Sequence, residues 1–142
     1  MIQQVRHQGQ ILAIIIRDKF RREGIEFFTP PDFSKQLAYM CHPAGKIIQP
    51  HIHNPVACQV RYAQEVLFIK RGKLRADLYD EGQNYVQSLI LEAGDVILLA
   101  SGGHGFEVLE ELEMIEVKQG PFTGEADKVV FNGITSKKNP QE

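Results

Sequence analysis

The strongest constraint on the fold of this chain is its succession of short β-rich runs separated by turn residues. Turns are predicted around Gly9, at Asp80–Gly82 and at Ala93–Asp95, where glycine and aspartate interrupt the apolar runs. No apolar pattern with the period of an α-helix extends beyond two turns. This organisation predicts an all-β domain, built either as an antiparallel sandwich or as a small barrel.

The strands are predicted from the order of these runs along the chain. The second run is apolar from Ile11 to Ile16, which predicts a strand buried on both faces. The run 46–53 is predicted to form a hairpin with the run before it, around Pro43–Gly45. The predicted strands are 2–7, 10–17, 25–28, 36–42, 46–53, 65–70, 74–79, two runs within 86–103, 104–111 and 112–120.

Composition limits the class of protein to which this chain can belong. Its 142 residues are 43% hydrophobic and 24% charged, which predicts one domain with a single core. We expect a core barrel at about 37–120, N-terminal packing strands at 1–36 and a C-terminal strand or tail at 121–142. The net charge of -2 provides no basic field for nucleic acid, so no such partner is expected.

The longest apolar run and the cysteines bear on the cellular location. The run Ile11–Ile16 is far shorter than the roughly 20 residues that span a bilayer, and no signal-peptide pattern accompanies it. Cys41 and Cys58 do not form a C-x-x-C pair, which favours reduced thiols over a disulfide framework. These features predict a cytoplasmic protein with no membrane partner.

A histidine pair, His51 and His53, is the main candidate for chemistry. Side chains two residues apart in a strand point to the same face, so the two imidazoles can bind one metal ion. Glu65, at the start of the next β-rich run, and His104, after a glycine-rich stretch, supply a carboxylate and a third imidazole. An isolated H-x-H pair is weak evidence, because histidines are commonly found in proteins without a metal.

Two motifs in this chain resemble those of the cupins, a family of small jelly-roll barrels with a site inside one end. Five residues separate Gly45 from His51, and six separate Glu65 from Gly72, as in the first cupin motif. Eleven residues separate the histidine pair from Glu65, where the family usually has three or four. The second motif is represented by His104 and the glycines before it, without the family's proline.

The resemblance implies a single-domain cupin jelly roll, also called a double-stranded β-helix, similar to small stand-alone bacterial cupins. It also implies one divalent ion, Fe, Mn, Ni, Co or Zn, held by His51, His53, Glu65 and His104. Two roles stay open for Glu65, since a displaced strand makes it a general base near bound water instead of a ligand. Other candidates near the ligand or substrate are Gln49, Gln64, Tyr39 and Phe106.

Three functions are compatible with these residues. The first is a metal-dependent enzyme acting on a small polar molecule such as a sugar derivative, by isomerase, lyase, hydrolytic or oxygenase chemistry. The second is a metal-free epimerase or isomerase of sugar nucleotides, in which a barrel histidine removes a proton next to a carbonyl. The third is a non-catalytic protein that binds a small ligand.

The apolar pattern of two strands also predicts a homodimer. Val66 and Phe68 lie on the strand face opposite Glu65, and Ile115 and Val117 alternate in the same way. More apolar surface is therefore present than one barrel interior needs, and we expect a second copy to cover it. Glu116 and Lys118 alternate with these residues, and a solvent-exposed face is the favoured interpretation for both.

Overall fold

A computed structural model describes residues 1–134, except for the side chain of Glu125, and shows an all-β chain, as predicted. The only helix within these residues is a short 3₁₀ helix, Gly124–Asp127. The strands are β1 (Ile2–His7), β2 (Gln10–Ile16), β3 (Gly24–Phe27), β4 (Ala38–Cys41), β5 (Glu65–Tyr79), β6 (Tyr85–Glu92), β7 (Val96–Leu99) and β8 (Gly103–Lys118).

Six of the strands form one antiparallel sheet organised on β5. The sheet has the order β1-β2-β7-β5-β6, and β8 pairs with β5 along nearly its whole length. On its other edge, β5 pairs first with β7 through residues 65–68 and then with β6 through residues 73–79. Because β6 and β7 share this edge, the sheet curls strongly into a half-barrel. The remaining strands, β3 and β4, form a separate two-stranded ribbon.

A corner in the middle of β5 produces this curl. The register between β5 and β8 shifts three times between Ile69 and Leu74, and such bulges bend and twist a strand. Gly72 lies within this corner at a φ of 90°, and a Cβ there would be 2.0 Å from the carbonyl oxygen of Glu111. Only glycine fits this position without a backbone shift. The strand can therefore turn without ending.

The interior of the half-barrel is lined by both halves of β5. Leu67 and Ile69 before the corner, and Leu74 after it, are all buried in one cluster. Residues 69 and 74 lie an odd number of positions apart, so a regular strand would place them on opposite faces. The bulges shift the alternation of side chains, so that Ile69 and Leu74 point to the same face. Both halves thereby contribute apolar side chains to the same core.

The outer face of the sheet carries a second, smaller core. Ile14 and Leu98 are fully buried there, against the partly buried Phe28, Phe33 and Leu37 from the segment around the β3–β4 ribbon. Ile15, the neighbour of Ile14, belongs to the interior cluster instead. The prediction that this apolar strand is buried on both faces is confirmed.

Two groups of strand predictions are wrong. Residues 42–64 contain no strand, and β4 pairs with β3 instead of with 46–53. Pro43, Pro50 and Pro55 interrupt that stretch, and proline cannot donate a ladder hydrogen bond. The runs 65–70 and 74–79 form the single strand β5, and 104–111 and 112–120 contribute to the single strand β8. Bulges replace the expected turns in this strand pair.

Most of the apolar face predicted on β5 and β8 is exposed to solvent, although Val66 is partly buried against the outer core. Phe68 is 39% exposed, and its cross-strand partner Ile115 is 51% exposed, while Val117 is 57% exposed. The homodimer that this pattern suggests stays a prediction. Among residues 1–134, no helix has both the length and the apolar character needed to cross a bilayer.

Gly72→Ala tests the corner, with Gly9→Ala as its matched control. Both glycines have positive φ, but an added Cβ meets nothing within 4 Å at Gly9. We expect Gly9→Ala to lose about 1–2 kcal/mol of unfolding free energy from backbone strain alone. Gly72→Ala should lose at least about 3 kcal/mol, because the Glu111 carbonyl must also move. Urea unfolding followed by circular dichroism measures both, and equal losses would show that the close approach at Gly72 is unimportant.

Candidate functional site

The corner in β5 brings Glu65 and His104 together. Glu65 begins β5, whereas His104 pairs with Leu78, near the other end of the same strand. A straight strand would separate residues 65 and 78 by about 43 Å. In the curled sheet, Glu65 Oε2 lies 3.4 Å from His104 Nε2. The carboxylate and the imidazole, which are far apart in sequence, thus face each other inside one end of the half-barrel.

Glu65 is held as an anion by its neighbours. Its side chain is only 13% exposed, and Lys118 Nζ lies 3.7 Å from Oε1. The interaction with His104 is the largest cause that lowers the pKa of Glu65, and the charge of Lys118 lowers it further, whereas burial opposes both. At 3.4 Å, the contact with His104 is long for a hydrogen bond. Glu65 is therefore charged at neutral pH.

Lys118 links this pair to the C-terminal segment. It is in register with Glu65 across the β5–β8 pair, and its ammonium also contacts Asp127 of the 3₁₀ helix. Asp127 is the main cause of the raised pKa of Lys118, and Lys118 lowers the pKa of Asp127 in return. A positive charge is thereby kept beside Glu65 and offsets its negative charge.

His104 also lines a cleft of about 1100 Å³. Phe106 lies next to it, with the two ring centroids 5.3 Å apart. Several residues of the segment 128–134 also line the cleft, and there Phe131 packs edge-on against Tyr79 and the Ile134 N–H donates to the Tyr79 hydroxyl over 2.9 Å. Residues 128–134 thus pack against the barrel without forming a strand. Residues 135–142 lie outside the described residues.

A buried charged network forms another part of the cleft wall. The Arg75 guanidinium donates two hydrogen bonds to the Asp77 carboxylate, and Ser88 donates a third. A further ion pair joins Arg75 to Glu107 over 2.6 Å. Asp77 raises the pKa of Arg75. Because the charges pair with one another, loss of any one partner would leave a buried charge without full compensation, so the members of the network depend on each other.

The four predicted metal ligands fall into two pairs. His51 and His53 lie on the exposed segment 42–64 with their ring centroids 5.1 Å apart, and Gln49 contributes a carbonyl 2.8 Å from His51 Nδ1. Glu65 and His104 form the other pair. No group of three or more histidine, cysteine, aspartate or glutamate side chains is arranged to hold a metal within residues 1–134. The proposed ion and its ligands stay a prediction.

The remaining candidates have different surroundings. Phe106 is beside His104, whereas Tyr39 packs edge-on against Phe20, with a centroid distance of 4.9 Å. Gln64 is buried, and its side-chain amide oxygen accepts a hydrogen bond from the Lys35 backbone N–H over 3.2 Å. Its amide is therefore used to hold the loop at Lys35 and not to orient Glu65.

Lys118 and Asp127 were not predicted as site residues. The cross-strand register of Glu65 and Lys118 would have indicated the lysine, but that register joins residues 53 positions apart. Asp127 lies in the segment that was predicted only as a packing strand or tail. Its contact with Lys118 depends on the three-dimensional path of that segment, for which the sequence carries no local signal.

Comparison of the chain with models of protein families, with curated proteins and with solved structures finds no match. The cupin resemblance therefore stays a prediction. The site is supported by its own geometry, chiefly by the contact between Glu65 and His104.

The lowered pKa of Glu65 predicts a pH dependence of stability. In the unfolded chain Glu65 takes up its proton near its usual pKa of 4.5, whereas in the folded chain it does so at lower pH. Its contribution is therefore fully present above about pH 4.5 and is lost as the pH falls through the folded pKa. Glu65→Gln should lower stability at pH 7 and flatten this acid-induced loss in urea unfolding curves.

Glu23→Gln is the matched control, since Glu23 is exposed and no ion pair to it is formed within residues 1–134. We expect its pH profile to follow that of the wild type. A Glu65→Gln profile that also coincided with the wild type would contradict the role given to the Glu65–His104 contact.

Proposed function

We propose that this protein binds a small polar molecule, such as a sugar derivative, in the cleft beside His104, and that the Glu65–His104 pair transfers a proton there. The observation that carries the proposal is the 3.4 Å contact between a largely buried carboxylate and an imidazole that lines the cleft. Paired groups of this kind are typical of general acid–base sites. The proposal corresponds to the metal-free isomerase or epimerase hypothesis.

In this proposal the two side chains have different tasks. His104 is 30% exposed and lines the cleft, so its imidazole exchanges the proton with the bound molecule. Glu65 lies behind it and stabilises the imidazolium that forms when the proton is taken up. Lys118 offsets part of the charge of Glu65, which moderates that stabilisation. A proton next to a carbonyl is the substrate feature that suits this pair, and its removal and return give isomerisation or epimerisation.

Metal-dependent activity in a cupin-type barrel is the second candidate. The His51–His53 pair and the Glu65–His104 pair are each formed, which favours a metal site. Within residues 1–134, however, the two pairs do not come together around one point. The present arrangement therefore does not fit a four-ligand ion, and we derive no chemical step through a metal. The segment that carries His51 and His53 would have to approach His104 to complete the set. Ile52, between the two histidines, is 94% exposed and makes little contact that opposes such movement.

Ligand binding at the cleft is tested with His104→Ala and His53→Ala. A panel of sugars, sugar phosphates and small keto acids can be screened by NMR in the presence of a chelator. We expect a ligand that shifts the resonances of His104 and Phe106, with binding at least about tenfold weaker in His104→Ala and unchanged in His53→Ala. Binding that shifts the Phe106 resonances and survives in His104→Ala, or that is lost when the chelator is added, would contradict the proposal. Binding without turnover would identify a non-catalytic binding protein.

Metal titration tests the second candidate separately. If it is correct, the purified protein should bind about one Mn(II) or Co(II) ion per chain at neutral pH, with affinity that falls as the histidines become protonated. Glu65→Gln and His53→Ala should then each weaken binding by more than about 10 to 100-fold. The candidate is rejected if reconstitution with Fe, Mn, Ni, Co and Zn leaves the stoichiometry near zero by elemental analysis.

A further inference from the structure

A second cleft, of about 470 Å³, lies on the outside of the sheet and does not include Glu65 or His104. It is formed where the β1–β2 turn, the loop 30–34 and the end of the segment 42–64 meet. Two arginines line it, Arg6 from β1 and Arg61 from the segment before β5. Among the lining residues that the structure describes, Asp32 is the only one with a carboxylate. This cleft therefore has a net positive lining in a protein whose net charge is -2.

Neither arginine is neutralised within residues 1–134. Arg6 donates a hydrogen bond to the side chain of Gln4 over 3.0 Å, and the Arg61 guanidinium lies 5.2 Å from the ring centroid of Tyr62. Asp32 forms an ion pair with neither of them in the described part of the chain. Guanidinium groups present planar sets of N–H donors that match the oxygens of phosphates and carboxylates. Two such groups on one cleft leave donors open for an anion.

A buried amide adds a polar group to the same cleft. Gln64 is 5% exposed and lines the cleft. Its oxygen accepts from the Lys35 N–H over 3.2 Å and from the Ser34 hydroxyl over 3.4 Å, which fixes the orientation of the amide. Among the described residues, its nitrogen reaches only the Ala100 carbonyl, at 3.5 Å, the long limit of a hydrogen bond. An amide nitrogen carries two hydrogens, so a donor remains for a ligand oxygen.

We propose that this outer cleft binds a small oxyanion, namely a phosphate ion or the phosphate group of a small organic molecule. Arg6 and Arg61 supply the charge, Gln64 supplies a fixed neutral donor, and the Tyr62 ring supports the Arg61 guanidinium. The site is independent of the proton-transfer pair, because it faces the outside of the sheet and shares only Arg61 and Tyr62 with the first cleft.

Titration of the full chain with inorganic phosphate at low ionic strength, followed by NMR, tests this proposal. We expect saturable binding that shifts the side-chain resonances of Arg61 and Gln64. Arg6→Gln and Arg61→Gln should each weaken it by about tenfold or more, as expected for loss of a charged hydrogen-bond partner. Arg22→Gln is the matched control, since Arg22 is exposed, pairs with Glu26 and lies outside both clefts. His104→Ala should bind phosphate like the wild type, which separates this test from that of the proposed function.

Further titrations with glucose 6-phosphate and with glucose show whether the site takes the free phosphate ion or a phosphorylated molecule. Binding of inorganic phosphate alone indicates a site for the free ion, and binding of both phosphates but not glucose indicates a site for a phosphorylated molecule. Either result supports the proposal. Failure of both phosphates to bind at 10 mM would overturn it, as would equal losses in Arg61→Gln and Arg22→Gln, because the latter would indicate attraction to overall charge.

Discussion

The close approach of Gly72 to the backbone of Glu111 is the constraint on which the rest of this structure depends. It lets β5 bend while its hydrogen bonds to β8 continue on both sides of the corner. The bend brings the two halves of β5 around one interior, where Leu67 and Leu74 are buried together. The same bend closes the distance between Glu65 and His104. Core and candidate site therefore have a common geometric origin.

The fold class could be predicted because its signal is local. The apolar run Ile11–Ile16 indicates a strand with two covered faces, and glycine marks the turn at Ala93–Asp95, which joins β6 to β7 as expected. The choice of partner strand could not be predicted in this way. β4 was expected to pair with the next run, but it pairs with β3, and that choice depends on how Phe28 and Leu37 cover the outer core.

Two residues of the candidate site, Glu65 and His104, could be predicted from the sequence, whereas Lys118, Asp127 and the way the four residues come together could not. Glu65 and His104 were both selected from sequence spacing, and the structure brings these two together. Spacing alone could not show that Lys118 lies opposite Glu65, because this register depends on the pairing of β5 with β8 across the corner. Spacing also could not show where the proline-interrupted segment 42–64 would place His51. The position of Lys118 depends on long-range strand pairing. The position of His51 depends on prolines, which cannot donate the hydrogen bonds that a strand needs.

The charge pattern of β8 has a consequence for how this protein avoids aggregation. Within residues 1–134, β8 pairs with no strand other than β5, so its second edge presents unpaired backbone groups beside exposed apolar side chains such as Val108. Long apolar edges of this kind are templates for intermolecular sheets. The strand carries Glu107, Glu110, Glu111, Glu113 and Glu116. Four of these carboxylates pair with lysines and arginines of β5, so a second chain docking on this edge would have to desolvate charged side chains, which opposes edge-to-edge pairing.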